Sequence, residues 1–162
     1  MPHRVENGAR SPGPVLGVDV GEVRVGLAIC DPARILATPL ATLKRDRARA
    51  ASSDLAEIVQ IVVEREIVDV VVGLPRLLSG GNGRAAVAAQ RYAARLARRI
   101  APVVVHLHDE RMTSVIAERT LREQGVRGPA RRAVVDQAAA VVILQSWLDT
   151  ASAKIARPKD GS

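Results

Sequence analysis

The sequence predicts an α/β fold, a mixed five-stranded sheet flanked by helices. Three observations predict it. Three short apolar segments separated by turn residues stand together near the start. After them, segments of helical and strand periodicity alternate. The chain has 162 residues, 48% hydrophobic and 25% charged, which suits one soluble domain with its own core.

The elements follow in order. Residues 1–14 are rich in Pro, Gly and polar side chains and read as a disordered tail. Strands are expected over 15–20, 24–30 and 34–38, with turns at Gly21-Glu22 and Asp31-Pro32; together they fit an antiparallel meander. A helix is expected over about 46–65, where Leu55, Ile58, Val59, Val62 and Val63 recur at helical spacing and Ser53 or Asp54 lies near the start. Val68 to Leu74 is a short apolar run, read as a buried strand that Pro75 ends. Leu78 to Gly83 reads as a loop. Residues 84–100 are Ala/Arg-rich and helical, with Val87, Tyr92, Leu96 and Ile100 facing the core.

A further strand runs from Val103 to Leu107. Thr113 or Ser114 can cap a helix to about Gln124, which Gly125 would stop. The last helix is expected over about 130–149, after Gly128-Pro129. Residues 151–162 read as a frayed tail, leaving 15–150 as the domain. The last two strands are reached through helices, so they should run parallel to the first.

Composition narrows the partners. Lys and Arg number 24 against 17 Asp and Glu, a net charge of +7. Only Lys44, Lys154 and Lys159 are lysines; arginine supplies the rest, and its planar fork suits phosphate. A nucleic-acid partner follows from that balance, with GC-rich coding as the competing explanation. Tyr92 and Trp147 are the only Tyr, Trp or Phe residues, too few for base stacking to dominate, so contact should be to backbone phosphates and salt-sensitive. No apolar run reaches the roughly 20 residues of a membrane span. The start of the chain lacks the apolar core of a signal peptide, and Cys30 is the only cysteine; both fit a reducing cytoplasm.

The residue most out of place is Asp19, a carboxylate inside the first strand between Val18 and Val20, with Gly17 and Gly21 two residues away on either side. Burying it costs several kcal/mol unless something positive holds it. A second acidic site follows the fifth strand at His108-Asp-Glu-Arg111, where Asp109 and Glu110 compete for one role. Parallel strands bring Asp19 and this cluster to the carboxyl edge of the sheet, where α/β folds bind ligands. A third acid, Asp136, interrupts the small apolar face of the last helix; the alternative is that it merely complements the helix dipole. Three carboxylates from two strands and a helix suit a hard divalent cation, Mg2+ or Mn2+. Two such ions about 4 Å apart can activate water and stabilise a leaving oxygen in phosphodiester cleavage.

These segments together resemble the YqgF family, also called RuvX-type, whose members are described as Holliday junction resolvases or pre-16S ribosomal RNA nucleases. The resemblance rests on Gly17-Val-Asp-Val-Gly21 with Arg24-Val-Gly26, on Val71-Val-Gly-Leu-Pro75, on Asp109-Glu-Arg-Met-Thr113, and on Asp136-Gln-Ala-Ala-Ala140 with Ile143-Leu144. The four motifs occur in the family's order over about residues 15–148. The resemblance implies an RNase H-like fold and a metal-dependent nuclease site, with Asp19, Glu110 and Asp136 as catalytic metal ligands. It also places Arg24, Arg111 and Thr113 in matching motifs, where they would bind phosphate or hold the acids. Glu22-Val23, and the loop after Pro75, depart from the family's pattern.

Arg131 and Arg132 precede the last helix and could clamp a phosphate near Asp136, or form a solvated basic face. His108 could assist proton transfer beside Glu110. His106 and His108 share a strand face, but a zinc site would need further soft ligands that the neighbourhood lacks. The expectation is therefore a Mg2+- or Mn2+-dependent endonuclease acting on pre-rRNA or branched DNA, as a monomer or a homodimer. The rival is a non-catalytic nucleic-acid or ribosome-assembly binding module.

Overall fold

The computed structural model describes residues 12–47, 52–75, 83–110 and 129–156; for 129–133 and 153–156 only the backbone is described. Five strands form one sheet: β1 (Val15–Val20), β2 (Arg24–Cys30), β3 (Ala37–Lys44), β4 (Asp69–Leu74) and β5 (Val104–Asp109). Their order across the sheet is β3-β2-β1-β4-β5. β1, β2 and β3 make the antiparallel meander, and β4 and β5 run parallel to β1. Helices α1 (Ser53–Glu64) and α2 (Arg84–Ile100) cover one face. Helix α3 (Pro129–Ala156) covers the other. Among the described residues no helix is long and apolar enough to cross a membrane.

Strand alternation builds two cores. Leu16, Val18, Val25, Leu27, Val70 and Val72 point to α1 and α2, where Leu55, Ile58, Tyr92 and Leu96 meet them. Val15, Ala28, Cys30 and Val71 point to α3, where Ala139, Ala140, Ile143, Leu144 and Leu148 pack. Cys30 is buried; its sulfur accepts the Val15 N–H at 3.2 Å, and burial pushes its thiol pKa up.

Five expectations are corrected. The third strand begins at Ala37, not at 34. The Asp31 carboxylate accepts both the Ile35 and Leu36 N–H, at 3.0 and 2.9 Å, and holds those residues in a turn; Arg34 there has φ +60°. Helix α1 begins at Ser53, since Asp46 lies outside it and its Oδ2 accepts the Ser53 N–H at 3.0 Å. The last helix continues to Ala156, seven residues past 149. Val63 is 72% exposed, and Ala86 and Ala89 take the core positions on α2 in place of Val87. The helix expected over 113–124 lies outside the described residues.

Candidate metal centre at the carboxyl edge of the sheet

Asp19 lies on the α3 face, because it is two residues along β1 from Gly17, whose missing Cβ would sit 2.8 Å from Leu144 Cβ. Its antiparallel partner on β2 is Gly26. The β1–β4 register pairs Val18 with Val72, and one further step sets Gly73 beside Asp19. Gly73 in turn pairs with His108 on β5. A single row therefore crosses the sheet: Gly26, Asp19, Gly73, His108.

Each of the two glycines in this row carries an acid from elsewhere in the chain. A Cβ on Gly73 would lie 2.8 Å from Glu110 Oε1 and 2.5 Å from Ile143 Cδ1. A Cβ on Gly26 would lie 2.2 Å from the backbone oxygen of Asp136 and 3.2 Å from its Cβ. Glu110 Oε1 therefore lies over Gly73 and the Asp136 backbone over Gly26, the strand positions on either side of Asp19. On α3 the residues 136, 140, 143 and 144 share one face, which carries Asp136 to the edge while Ala140, Ile143 and Leu144 pack lower down.

Burial separates the candidates. Asp19 is 4% exposed and Glu110 1%. Asp109, which competed with Glu110, is half-buried and pairs across from Leu74. Asp136 is held by Arg24, whose Nε donates to Oδ2 at 2.7 Å. Arg24 thus holds one of the acids, one of the two roles its motif suggested. His108 is buried, its Nε2 is 2.9 Å from Ser146 Oγ, and desolvation pushes its pKa down, favouring the neutral ring. His106 lies on the same face but belongs elsewhere: its Nε2 is 2.9 Å from Asp69 Oδ1, and its ring is 5.0 Å from that of Trp147. Arg111 and Thr113 lie outside the described residues. Of Arg131 and Arg132 only the helical backbone is described.

The donors are carboxylate oxygens, the chemistry that Mg2+ and Mn2+ select. As they stand, no three His, Cys, Asp or Glu among the described residues form a group that could hold a metal ion. Asp136 is turned to Arg24, and completing a three-acid set would require exchanging that partner. The sequence reading singled out the acids but not what seats them. Gly26 and Gly73 are isolated glycines inside strands, a pattern that marks close approach of another backbone or ligand.

A family model described as RuvX, Holliday junction resolvase, matches residues 13–150. Proteins of Mycobacterium sp. (strain KMS) and Mycobacterium tuberculosis (strain ATCC 25177 / H37Ra) are 49% and 48% identical to this chain, each over 99% of it and 94% of their own length. Both carry the provisional name pre-16S rRNA nuclease. A structure of T. thermophilus RuvC in complex with a Holliday junction substrate superposes with TM-score 0.53 at 15% identity, covering 90% of this chain and 99% of that one. Another Thermus thermophilus RuvC structure gives TM-score 0.50 at 14% identity, over 86% and 96%. These two likenesses concern the fold, which is RNase H-like. With a match from residue 13 to residue 150 and relatives near half-identical over almost their whole length, the chain belongs to the RuvX family of Holliday junction resolvases.

Proposed function

We propose that this protein is a divalent-cation-dependent endonuclease of structured nucleic acid, working in the cytoplasm on precursor 16S rRNA or on four-way DNA junctions. One observation supports the reading: in the row Gly26–Asp19–Gly73 the two glycines leave room for the Asp136 backbone and the Glu110 carboxylate beside the strand that carries Asp19. The names and family of the relatives support the nuclease class.

Asp19 and Glu110 would hold the ion, with Asp136 completing the set on leaving Arg24. When bound, Mg2+ or Mn2+ supplies Lewis-acid stabilisation of the reacting phosphate and makes water more acidic, with one ion or two. The chain's own residues do the rest. The Asp19 backbone is fixed by its pairing with Gly26 and by the Val18–Val72 pairing just before it, so little of its main chain needs ordering. Burial of Asp19 and Glu110 lowers the local dielectric and strengthens their attraction for a cation. His108, kept neutral by burial, can take up a proton at a ring nitrogen. Arg24, once free of Asp136, has a guanidinium fork at the edge that can receive a phosphate.

Cleavage assays on a four-way DNA junction and on a precursor 16S rRNA fragment, with Mg2+ or Mn2+, test this. Asp19→Asn and Glu110→Gln should each lower the rate by roughly 10²-fold or more. Wild-type cutting by Asp19→Asn would overturn the mechanism. The non-catalytic binding module keeps one observation in its favour, the Arg24–Asp136 pair, which gives Asp136 a structural partner. Binding of either substrate with no cation-dependent cleavage would decide for it.

A further inference from the structure

On the face of the sheet opposite α3, a cavity of about 450 Å³ opens beside the β1–β2 turn. Its charged lining is Glu22, Arg45, Asp46, Arg47, Arg84 and Arg95, four arginines against two acids. Val20 forms part of its wall, and the next residue back is Asp19 on the other face. Cavity and acids therefore share the carboxyl end of β1, one on each side of the strand.

The arginines are arranged for an anion. Arg45 donates Nη1 to the Gly21 carbonyl at 2.8 Å and lies with its guanidinium carbon 5.5 Å from the centre of the Tyr92 ring. Arg47 donates Nη2 to the Glu22 carbonyl at 2.9 Å. Each of these hydrogen bonds uses one of five N–H donors, fixing the guanidinium while leaving the others for a ligand. Arg84 and Arg95 come from α2 at positions i and i+11, with Ala88 between them on the same face. Among the described residues neither of them forms a salt bridge.

The two acids in the lining offset half of this charge and leave two arginines in excess. Asp46 accepts the Ser53 N–H and so is engaged at the start of α1, and Glu22 is exposed. The first turn of α2 has no acidic residue, and its N-cap Gly83 offers no side-chain acceptor, so the positive end of that helix adds to the field. No aromatic ring lines the cavity, so it is fitted to phosphate rather than to a stacked base.

We propose that this cavity binds the phosphodiester backbone of the nucleic-acid substrate, flanking the phosphate that sits at the acids. The proposal rests on the nucleic-acid reading above and assigns Arg45, Arg47, Arg84 and Arg95 as backbone contacts.

The test is fluorescence anisotropy of a labelled four-way DNA junction with the full chain in metal-free buffer, titrated across a range of KCl. Each phosphate contact contributes about 0.9 to the slope of log affinity against log salt. Arg84→Gln/Arg95→Gln should lower that slope by about 2 and weaken binding roughly tenfold. Arg98→Gln/Arg99→Gln removes the same charge from exposed positions of the same helix outside the cavity and should leave the slope unchanged. Equal slopes for both double variants, or a wild-type chain that does not bind, would overturn the proposal. A melting-temperature rise with inorganic phosphate alone, lost in Arg84→Gln/Arg95→Gln while both slopes stay equal, would assign the cavity to free phosphate and also overturn it. Because binding is read without a divalent ion, failure of cleavage leaves this result standing, and failure here leaves the cleavage result standing.

Discussion

Replacing Gly26 by Ala tests the seat of the site. The added Cβ would lie 2.2 Å from the Asp136 carbonyl oxygen and 2.5 Å from its carbon, where ordinary contact begins at 3.4 Å. The shortfall of about 1.2 Å falls on backbone, so no rotamer change relieves it; α3 must move off the sheet. That helix also packs on β1, β3 and β4, and at Gly17 a Cβ would lie 2.8 Å from Leu144 Cβ. Overpacking of this kind costs about 3 kcal/mol, which for a chain of this size lowers Tm by roughly 6–12 °C. The same movement carries Asp136 about 1 Å from Asp19, enough to cost on the order of 10²-fold in rate. Urea unfolding and thermal melting read the first effect, and junction cleavage the second. Gly73→Ala is the comparison: there the obstructing atoms are the ends of Ile143 and Glu110 side chains, which can turn aside. It should lose less stability than Gly26→Ala while still displacing the Glu110 carboxylate and weakening the stabilisation that Mn2+ gives. If Gly26→Ala melts within about 1 °C of wild type, the close approach of α3 to β2 is wrong.

Other outcomes follow from the same geometry. Arg24→Gln removes the partner that competes for Asp136, so the Mn2+ concentration giving half-maximal thermal stabilisation should fall several-fold; an unchanged midpoint would mean Asp136 takes no part in holding the ion. Burial pushes the Asp69 carboxyl up, but hydrogen bonds from His106 and Arg34 outweigh it and hold the pKa below 3.8. That contribution is complete above the ordinary carboxylate range and is lost as pH falls through the lower folded value, so Asp69→Asn should flatten the acid limb of urea midpoint against pH. Burial holds the folded pKa of His108 below 6.5, so the unfolded chain takes up the proton first and stability declines as pH falls below 6.5. His108→Gln should remove that component, measured by the same midpoints between pH 7 and roughly pH 5.

Periodicity located most of the fold because burial on two faces leaves few alternatives. β1, β2 and α2 have the expected ends, and β4 and β5 begin one residue later than expected. β3 was misplaced for a local reason. Asp31 bonds the backbone of Ile35 and Leu36, turning an apolar stretch into a loop, and the strand continues through Pro39 because it lies at the sheet edge, where a missing N–H is tolerated. Asp19, Glu110 and Asp136 stood out because carboxylates interrupt apolar segments. Their seating could not be read in advance. The Arg24–Asp136 pair joins residues 112 apart and depends on where α3 crosses β2. The arginine-lined cavity likewise gathers side chains from the β1–β2 turn, the stretch after β3 and α2, none of which is distinctive alone.

The contact at the other end of α3 makes the protein its own optical probe. Trp147 is the only tryptophan in the chain, and it lies against His106, with the Arg34 guanidinium carbon 5.8 Å from its ring. Its emission therefore reports whether α3 is seated against His106 and Arg34. Any event at Asp136 that shifts the helix, whether an alanine at Gly26 or the arrival of an ion, can be followed as a change in the fluorescence of unlabelled protein, three turns of helix away from where it occurs.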